Sequence, residues 1–268
     1  MNAVAPHDPL FFPVSASSFH RELIADLAAG RCAAIEVREF MPRDTCAEIL
    51  RALETVSFET YNTKRIFPPV MRFGVGVSDH NVAGVLADTY WEALQEHRQA
   101  WRALRLPYDP YDLCRKGLAA HWPYPVSVAT RDGRPLGDGV IREPNGGFQV
   151  HFDDAKREFT GSLIDGNLIA QFAFNLYLSV PEVGGETVVW RHRWHPADEA
   201  MRLSYSTYGY PEDVVGDAEF FELWPTVGSA LLFDPGNFHA VRPSKDSRRI
   251  AIGFAVGLVD TGELVTWG

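Results

Sequence analysis

Hydrophobic and polar positions along the chain fall into two textures. In the first third, residues 19–29 repeat their apolar side chains at helical spacing and are followed by Gly30, a residue suited to a helix C-cap. Residues 32–37 read as a short strand, and Asp44 and Thr45 can cap a helix running to about Thr55. A longer helix is predicted over residues 82–105, rich in Ala, Leu, Glu, Gln and Arg, and stopping before the turn from Leu106 to Pro110. From about Gly139 the pattern changes to short runs of β-branched and aromatic residues divided by Gly, Pro, Asn and Asp. That is the texture of a sandwich, barrel or jelly roll, with strands predicted at 148–151, 168–180, 186–190, 229–233, 238–241 and 249–258.

One strand carries more information than the others. Alternation over 168–180 puts Phe172, Phe174, Leu176 and Leu178 on one face and Gln171, Ala173, Asn175 and Tyr177 on the other. A surface strand with its polar face in water gives this pattern, and so does a strand whose apolar face packs on helices while its polar face lines a cavity.

Composition narrows the partners. The chain has 268 residues, 46% of them hydrophobic and 22% charged, which is ordinary globular usage, and nothing in its pattern divides it into two domains. A formal net charge of −10 argues against nucleic acid or anionic membrane as a partner, since both need a Lys/Arg excess. The start of the chain lacks the basic and apolar runs of a secretion leader, and no stretch is apolar for long enough to span a bilayer. Cys32, Cys46 and Cys114 are widely spaced and form no short-spaced pair, so a reducing, cytoplasmic setting is expected.

Candidate chemistry begins at His151 and Asp153. On a strand, residues i and i+2 point the same way, so this imidazole and this carboxylate can face one ion. In a chain with 9 histidines and 35 acidic residues such a pair carries little alone, so context decides. The context is His239, placed just after a Pro235-Gly236 turn where one predicted strand ends and the next begins. Two imidazoles and one carboxylate leave open coordination positions for a bidentate oxo acid and for O2, the ligand logic of non-haem iron(II) oxygenases. Arg248 follows on the last long strand. A guanidinium there can take the far carboxylate of a dicarboxylate cosubstrate, and on a regular strand it shares a face with Ile250, Ile252 and Phe254 while Arg249 points away.

These motifs resemble the iron(II)- and 2-oxoglutarate-dependent oxygenase superfamily, prolyl-hydroxylase-like members included. The stretches 30–45 and 180–190 further resemble bacterial hydroxylases of N-acylated amino acids and halogenases of free-standing alkaloids. The resemblance covers about residues 30–258, and its specific parts are the metal and Arg motifs. It implies iron(II) held by His151, Asp153 and His239, and 2-oxoglutarate and O2 as cosubstrates. It further implies that Arg248 pairs with the C5 carboxylate of 2-oxoglutarate and that Tyr177 donates a hydrogen bond to the same group. Family halogenases lack the carboxylate ligand that Asp153 supplies, so hydroxylation or desaturation is favoured over halogenation.

The fold so implied is mostly β with helices: a double-stranded β-helix or jelly-roll, cupin-like core with N-terminal helices on one sheet. The chain is read as one oxygenase domain, with residues 1–138 a mainly helical buttress with peripheral strands, 139–258 the jelly-roll catalytic core and 259–268 a C-terminal tail. The expected substrate is a small molecule, an amino acid or N-substituted amino acid first and a natural-product scaffold such as an alkaloid second. A cupin-like metal-binding protein or isomerase without 2-oxoglutarate is the rival, and Arg248 discriminates against it.

Other residues carry two readings. Arg72, in the apolar run 66–77, is either a contact for an anionic substrate or a surface Arg on an edge strand. Phe254 either lines the substrate pocket or packs in the core. Asp154 is expected at a loop or strand end, Lys156 and Arg157 in a solvated loop, and His192 and His195 in a loop or at the rim of the site, since no further ligand lies at metal spacing.

Overall fold

The computed structural model describes residues 11–245 and 247–268; residues 1–8, read above for a secretion leader, lie outside them. Two main β-sheets, two short two-stranded ribbons and a layer of helices make up the framework of the described residues. The larger sheet runs, edge to edge, through Pro13–Ala16, Ala34–Val37, Ala230–Phe233, Leu168–Ser179, Ile250–Val259, Val140–Glu143, Met71–Gly74 and Glu59–Thr60. Leu264–Trp267 also pairs with Ile250–Val259 and carries Val126–Val128 alongside. The smaller sheet is Phe148–His151, Asn237–Val241, Thr187–Arg193 and Phe220–Leu223.

The alternation in Leu168–Ser179 decides how the layers stack. Phe172, Phe174, Leu176 and Leu178 are buried in a core that also takes Ile250, Ile252, Phe254 and Val256 from the next strand. Four helices cover that face: Arg21–Ala28, Arg43–Leu53, Thr89–Ala103 and Pro110–Ala119. The first, second and fourth give Ile24, Leu27, Cys46, Ile49, Leu53, Cys114 and Leu118 to the same core. Antiparallel register sets Phe174 opposite Phe254, and their rings stack with centroids 4.4 Å apart at 15°. The opposite face packs Tyr177, Leu231, Phe233 and Ala251 against Val189, Phe221 and Leu223 of the smaller sheet. The polar alternation therefore looks into the space between the sheets rather than into water.

Several expectations are corrected. The helix expected from residue 82 begins at Thr89, because Asn81–Val82 and Val85–Leu86 form a hairpin whose turn residues Ala83 and Gly84 have φ of 52° and 84°. The turn at Leu106 to Pro110 leads into an unexpected helix. Its N-cap Asp109 accepts from the Tyr111 N–H at 2.9 Å, and Pro110 occupies the first turn, where a missing N–H costs nothing. Residues 259–268 are not a tail, since Leu264–Trp267 is a strand of the larger sheet. The peripheral strands expected before residue 139 join the larger sheet itself, from residue 13 onward. Among the described residues no helix is long and apolar enough to cross a membrane.

Candidate metal centre

His151 ends the strand Phe148–His151, and its register partner on Asn237–Val241 is His239. Between Phe148 and His151 the pairing shifts by a residue, the irregularity by which a strand end is turned relative to its neighbour. The two imidazole centroids lie 4.1 Å apart. Asp153, two residues on, is held by its backbone N–H donating to Pro235 O at 2.8 Å, which ties the end of one strand to the Pro-Gly turn before the other. One ligand atom from each of His151, Asp153 and His239 falls within 4.8 Å of the other two, and His239 Nε2 stands 3.8 Å from Asp153 Oδ2.

The hydrogen bonds set the tautomers. His151 Nδ1 lies 2.6 Å from Gln149 O and His239 Nδ1 3.0 Å from Asn237 O, and a carbonyl can only accept. Each Nδ1 therefore carries the proton, and each Nε2 presents its lone pair. Burial drives the His151 pKa well below its ordinary value, with the neighbouring His239 adding to the effect, and burial lowers His239 as well against the pull of Asp153. Both rings are thus neutral donors. Asp153 is oriented by Tyr208, whose hydroxyl donates to Oδ1 and whose ring lies 4.9 Å from that of His151. Two neutral imidazoles and one carboxylate, with no fourth His, Cys, Asp or Glu in the cluster among the described residues, fit an iron(II) ion that keeps open positions.

The cation expected beside this centre comes from the neighbouring residue. Arg248 lies outside the cavity, half exposed, with Nε donating to Glu143 Oε1 at 2.7 Å and Nη2 to Oε2 at 2.5 Å. Ile250, Ile252 and Phe254 do share a face, but it is the one the helices cover, and Arg248 belongs to that side. Arg249 takes the cavity side and is 3% exposed. Its Nε donates to Gly185 O at 2.9 Å and its Nη2 to Thr187 Oγ1 at 3.1 Å. Tyr177 sits behind this pair rather than on the cavity wall: its hydroxyl is 3.0 Å from Thr187 Oγ1, and Arg249 Cζ lies 5.1 Å from its ring centroid. A sequence signal for Arg249 existed in Ala251, Gly253 and Ala255, small residues alternating with the large apolar ones and marking the cavity face.

Arg72 is not on the inner cavity wall. It pairs with Asp79, stacks 4.5 Å over the Tyr61 ring and borders an outer recess that shares Arg65, Ser78, Asp79, Glu158 and Tyr208 with the cavity. Phe254 borders the cavity only from behind, its ring being spent on Phe174 in the helix-side core. Asp154 caps the short helix Ala155–Glu158, accepting from the Lys156 and Arg157 N–H groups. Arg157 pairs with Glu199 at 2.7 Å, and His192 lies 3.2 Å from Asp198. Sequence reasoning missed Arg142, Glu158 and Tyr208 on the cavity wall; each sits on an element whose inward face only the fold defines.

No family model matches the chain. Over its whole length it is similar to L-gamma-glutamyl-L-propargylglycine hydroxylase of Streptantibioticus cattleyicolor, 36% identical over 270 residues and covering 100% of both chains. A stretch of 130 residues, 46% of this chain and 53% of the other, is 35% identical to Leucinostatins biosynthesis cluster protein S of Purpureocillium lilacinum. Among solved structures, an N-substituted L-amino acid dioxygenase of Burkholderia ambifaria, in complex with alpha-KG, aligns with a TM-score of 0.59 at 17% identity, covering 92% of this chain and 90% of that one. That likeness is one of fold.

Proposed function

The chain belongs to the iron(II)- and 2-oxoglutarate-dependent oxygenases, the family of its full-length hydroxylase relative, and from this premise we propose that it hydroxylates a C–H bond of an amino acid or N-substituted amino acid. Its metal is iron(II), and its cosubstrates are 2-oxoglutarate and O2. His151, Asp153 and His239 hold the iron in this reading, and their convergence within 4.8 Å is the observation that carries it. Arg249, not Arg248, pairs with the C5 carboxylate of 2-oxoglutarate, since it is the guanidinium of that strand that reaches the cavity. The two facing sheets are read as a double-stranded β-helix, or jelly-roll, core of a single domain.

When bound, iron(II) with 2-oxoglutarate and O2 supplies the oxidising chemistry, taking 2-oxoglutarate to succinate and CO2 and placing one oxygen atom in a substrate C–H bond. The protein supplies position. The Nδ1 bonds to Gln149 O and Asn237 O keep both Nε2 lone pairs inward, and Tyr208 holds the Asp153 carboxylate. Thr187, itself bonded to Tyr177, holds the Arg249 guanidinium, so a dicarboxylate would meet a cation already oriented toward the cavity. Asp153 occupies the position that a halogenase leaves to chloride, which favours hydroxyl transfer. The substrate class follows the relative, which by its name hydroxylates a γ-glutamyl amino acid.

The test is succinate formation together with a mass gain of one oxygen, on γ-glutamyl, N-acyl and free amino acids with iron(II), ascorbate and O2. Anaerobic 2-oxoglutarate should give a metal-to-ligand charge-transfer band. Absence of both band and succinate across the panel would end the oxygenase reading.

A further inference from the structure

Three arginines line the cavity: Arg65 pairs with Asp79, whereas Arg142 and Arg249 form no ion pair within 4 Å among the described residues. Arg249 is accounted for by the dicarboxylate. Arg142 is not. It projects from Val140–Glu143, where its register partners are Ala251 and Arg72, and its Nε donates to Tyr61 Oη at 3.1 Å. Its Nη1 lies directly over Gly253: a Cβ there would stand 2.4 Å from Nη1 and 3.3 Å from Asn175 Oδ1. Glycine at this register position is what lets the guanidinium cross the neighbouring strand toward the metal ligands.

The nearby carboxylates are engaged elsewhere. Glu143 turns outward to Arg248, Asp79 serves Arg65 and Arg72 together, and Glu158 accepts from Ser78 Oγ at 2.6 Å. With the site loaded, the charges of iron(II), Asp153, the 2-oxoglutarate dianion and Arg249 cancel. Arg142 remains as a positive charge on the cavity wall without a counterion, an unfavourable state unless a ligand brings the anion. Its Nε is used by Tyr61, so the two Nη groups are free for a bidentate carboxylate.

We propose that Arg142 is the anchor for the substrate's carboxylate, so that the enzyme selects free carboxylic acids over their amides and esters and the anchor decides which C–H bond faces the metal. The subsite rests on the oxygenase reading above, because the charge balance assumes a loaded metal and cosubstrate.

The test uses the full chain, anaerobic and loaded with iron(II) and 2-oxoglutarate. Binding of L-γ-glutamyl-L-propargylglycine, its bis-carboxamide with both carboxylates amidated, and acetate is followed by calorimetry and by perturbation of the charge-transfer band. The native protein should bind the acid at least tenfold more tightly than the amide, with acetate competing. In Arg142→Met the acid should bind no better than the amide, while the midpoint for 2-oxoglutarate moves less than threefold; Arg142→Lys should keep part of the preference. Gly253→Ala, which leaves the charge but crowds Nη1, should weaken acid binding and spare the amide, and it serves if Arg142→Met does not fold. Equal binding of acid and amide by the native protein, or no saturable binding of any carboxylate including acetate, overturns the subsite while leaving the oxygenase reading intact. A tenfold weaker 2-oxoglutarate midpoint in Arg142→Met with the preference retained also overturns it, and makes Arg142 a second cosubstrate anchor. Failure of the band to form at all removes both readings.

Discussion

Arg249 donates to the Thr187 hydroxyl at 3.1 Å, and that bond joins the start of a strand in the larger sheet to a strand of the smaller one. It crosses the gap between the sheets at the height of the cavity, so the guanidinium is aimed before any ligand arrives. Arg248, one residue earlier, is turned outward to Glu143. Neighbouring arginines thus have opposite fates.

Replacing them separates the two roles. Arg249→Met should raise the 2-oxoglutarate concentration at half-formation of the charge-transfer band by on the order of 30- to 150-fold, because a charge-assisted pair is worth roughly 2–3 kcal/mol. Arg248→Met should change it less than about twofold, since an exposed pair contributes little. The reverse order of effects would return the anchor to Arg248.

Tyr208 should matter to the metal without touching it. Its hydroxyl bond fixes the Asp153 carboxylate, and loss of such an orienting bond costs about 10- to 100-fold in metal affinity. Competition with a chelator should give that drop for Tyr208→Phe, whereas Asp153→Ala should also abolish turnover. An unchanged affinity in Tyr208→Phe would make the bond incidental.

Stability should hinge on the helix-side core. Phe174 stacks on Phe254 and also meets Phe19 and Phe40, with ring centroids at 5.9 and 5.6 Å. Phe174→Ala should cost about 3–5 kcal/mol in denaturant unfolding. A loss below about 1 kcal/mol would contradict the packing described.

Acid should weaken the fold through His97. Its ring packs 4.8 Å from Phe73 and 6.0 Å from Trp101, and burial pulls its pKa down to about 4 from an ordinary 6.5. The folded state therefore binds this proton less readily than the unfolded chain. The stabilisation is complete above pH 6.5 and is lost as pH falls toward 4. Discounted for partial exposure, the effect is about 1–2 kcal/mol, and His97→Phe should flatten that part of the Tm profile between pH 7 and 4. An identical acid limb in the variant would assign the loss to other groups.

Much of the site is legible in consecutive residues. His151 and Asp153 project together because a strand has period two, the Pro-Gly turn before His239 marks where a strand re-enters, and the greasy alternation of Phe172 to Leu178 is the face the helices cover. Between Arg248 and Arg249, which one faces the cavity is a step that alternation cannot take. It divides a strand into two faces but does not say which one looks inward.

That division is the boundary between sequence and structure in this protein. Spacing along single segments carries the candidate metal ligands, the strand pattern and the family resemblance. Only tertiary structure decided that Arg249 faces the cavity, that Tyr208 reaches Asp153 from 55 positions away, and that Arg142 passes over Gly253 from a neighbouring strand. Those relations depend on which strands pair and in what register, and register is set by burying apolar faces across the whole fold.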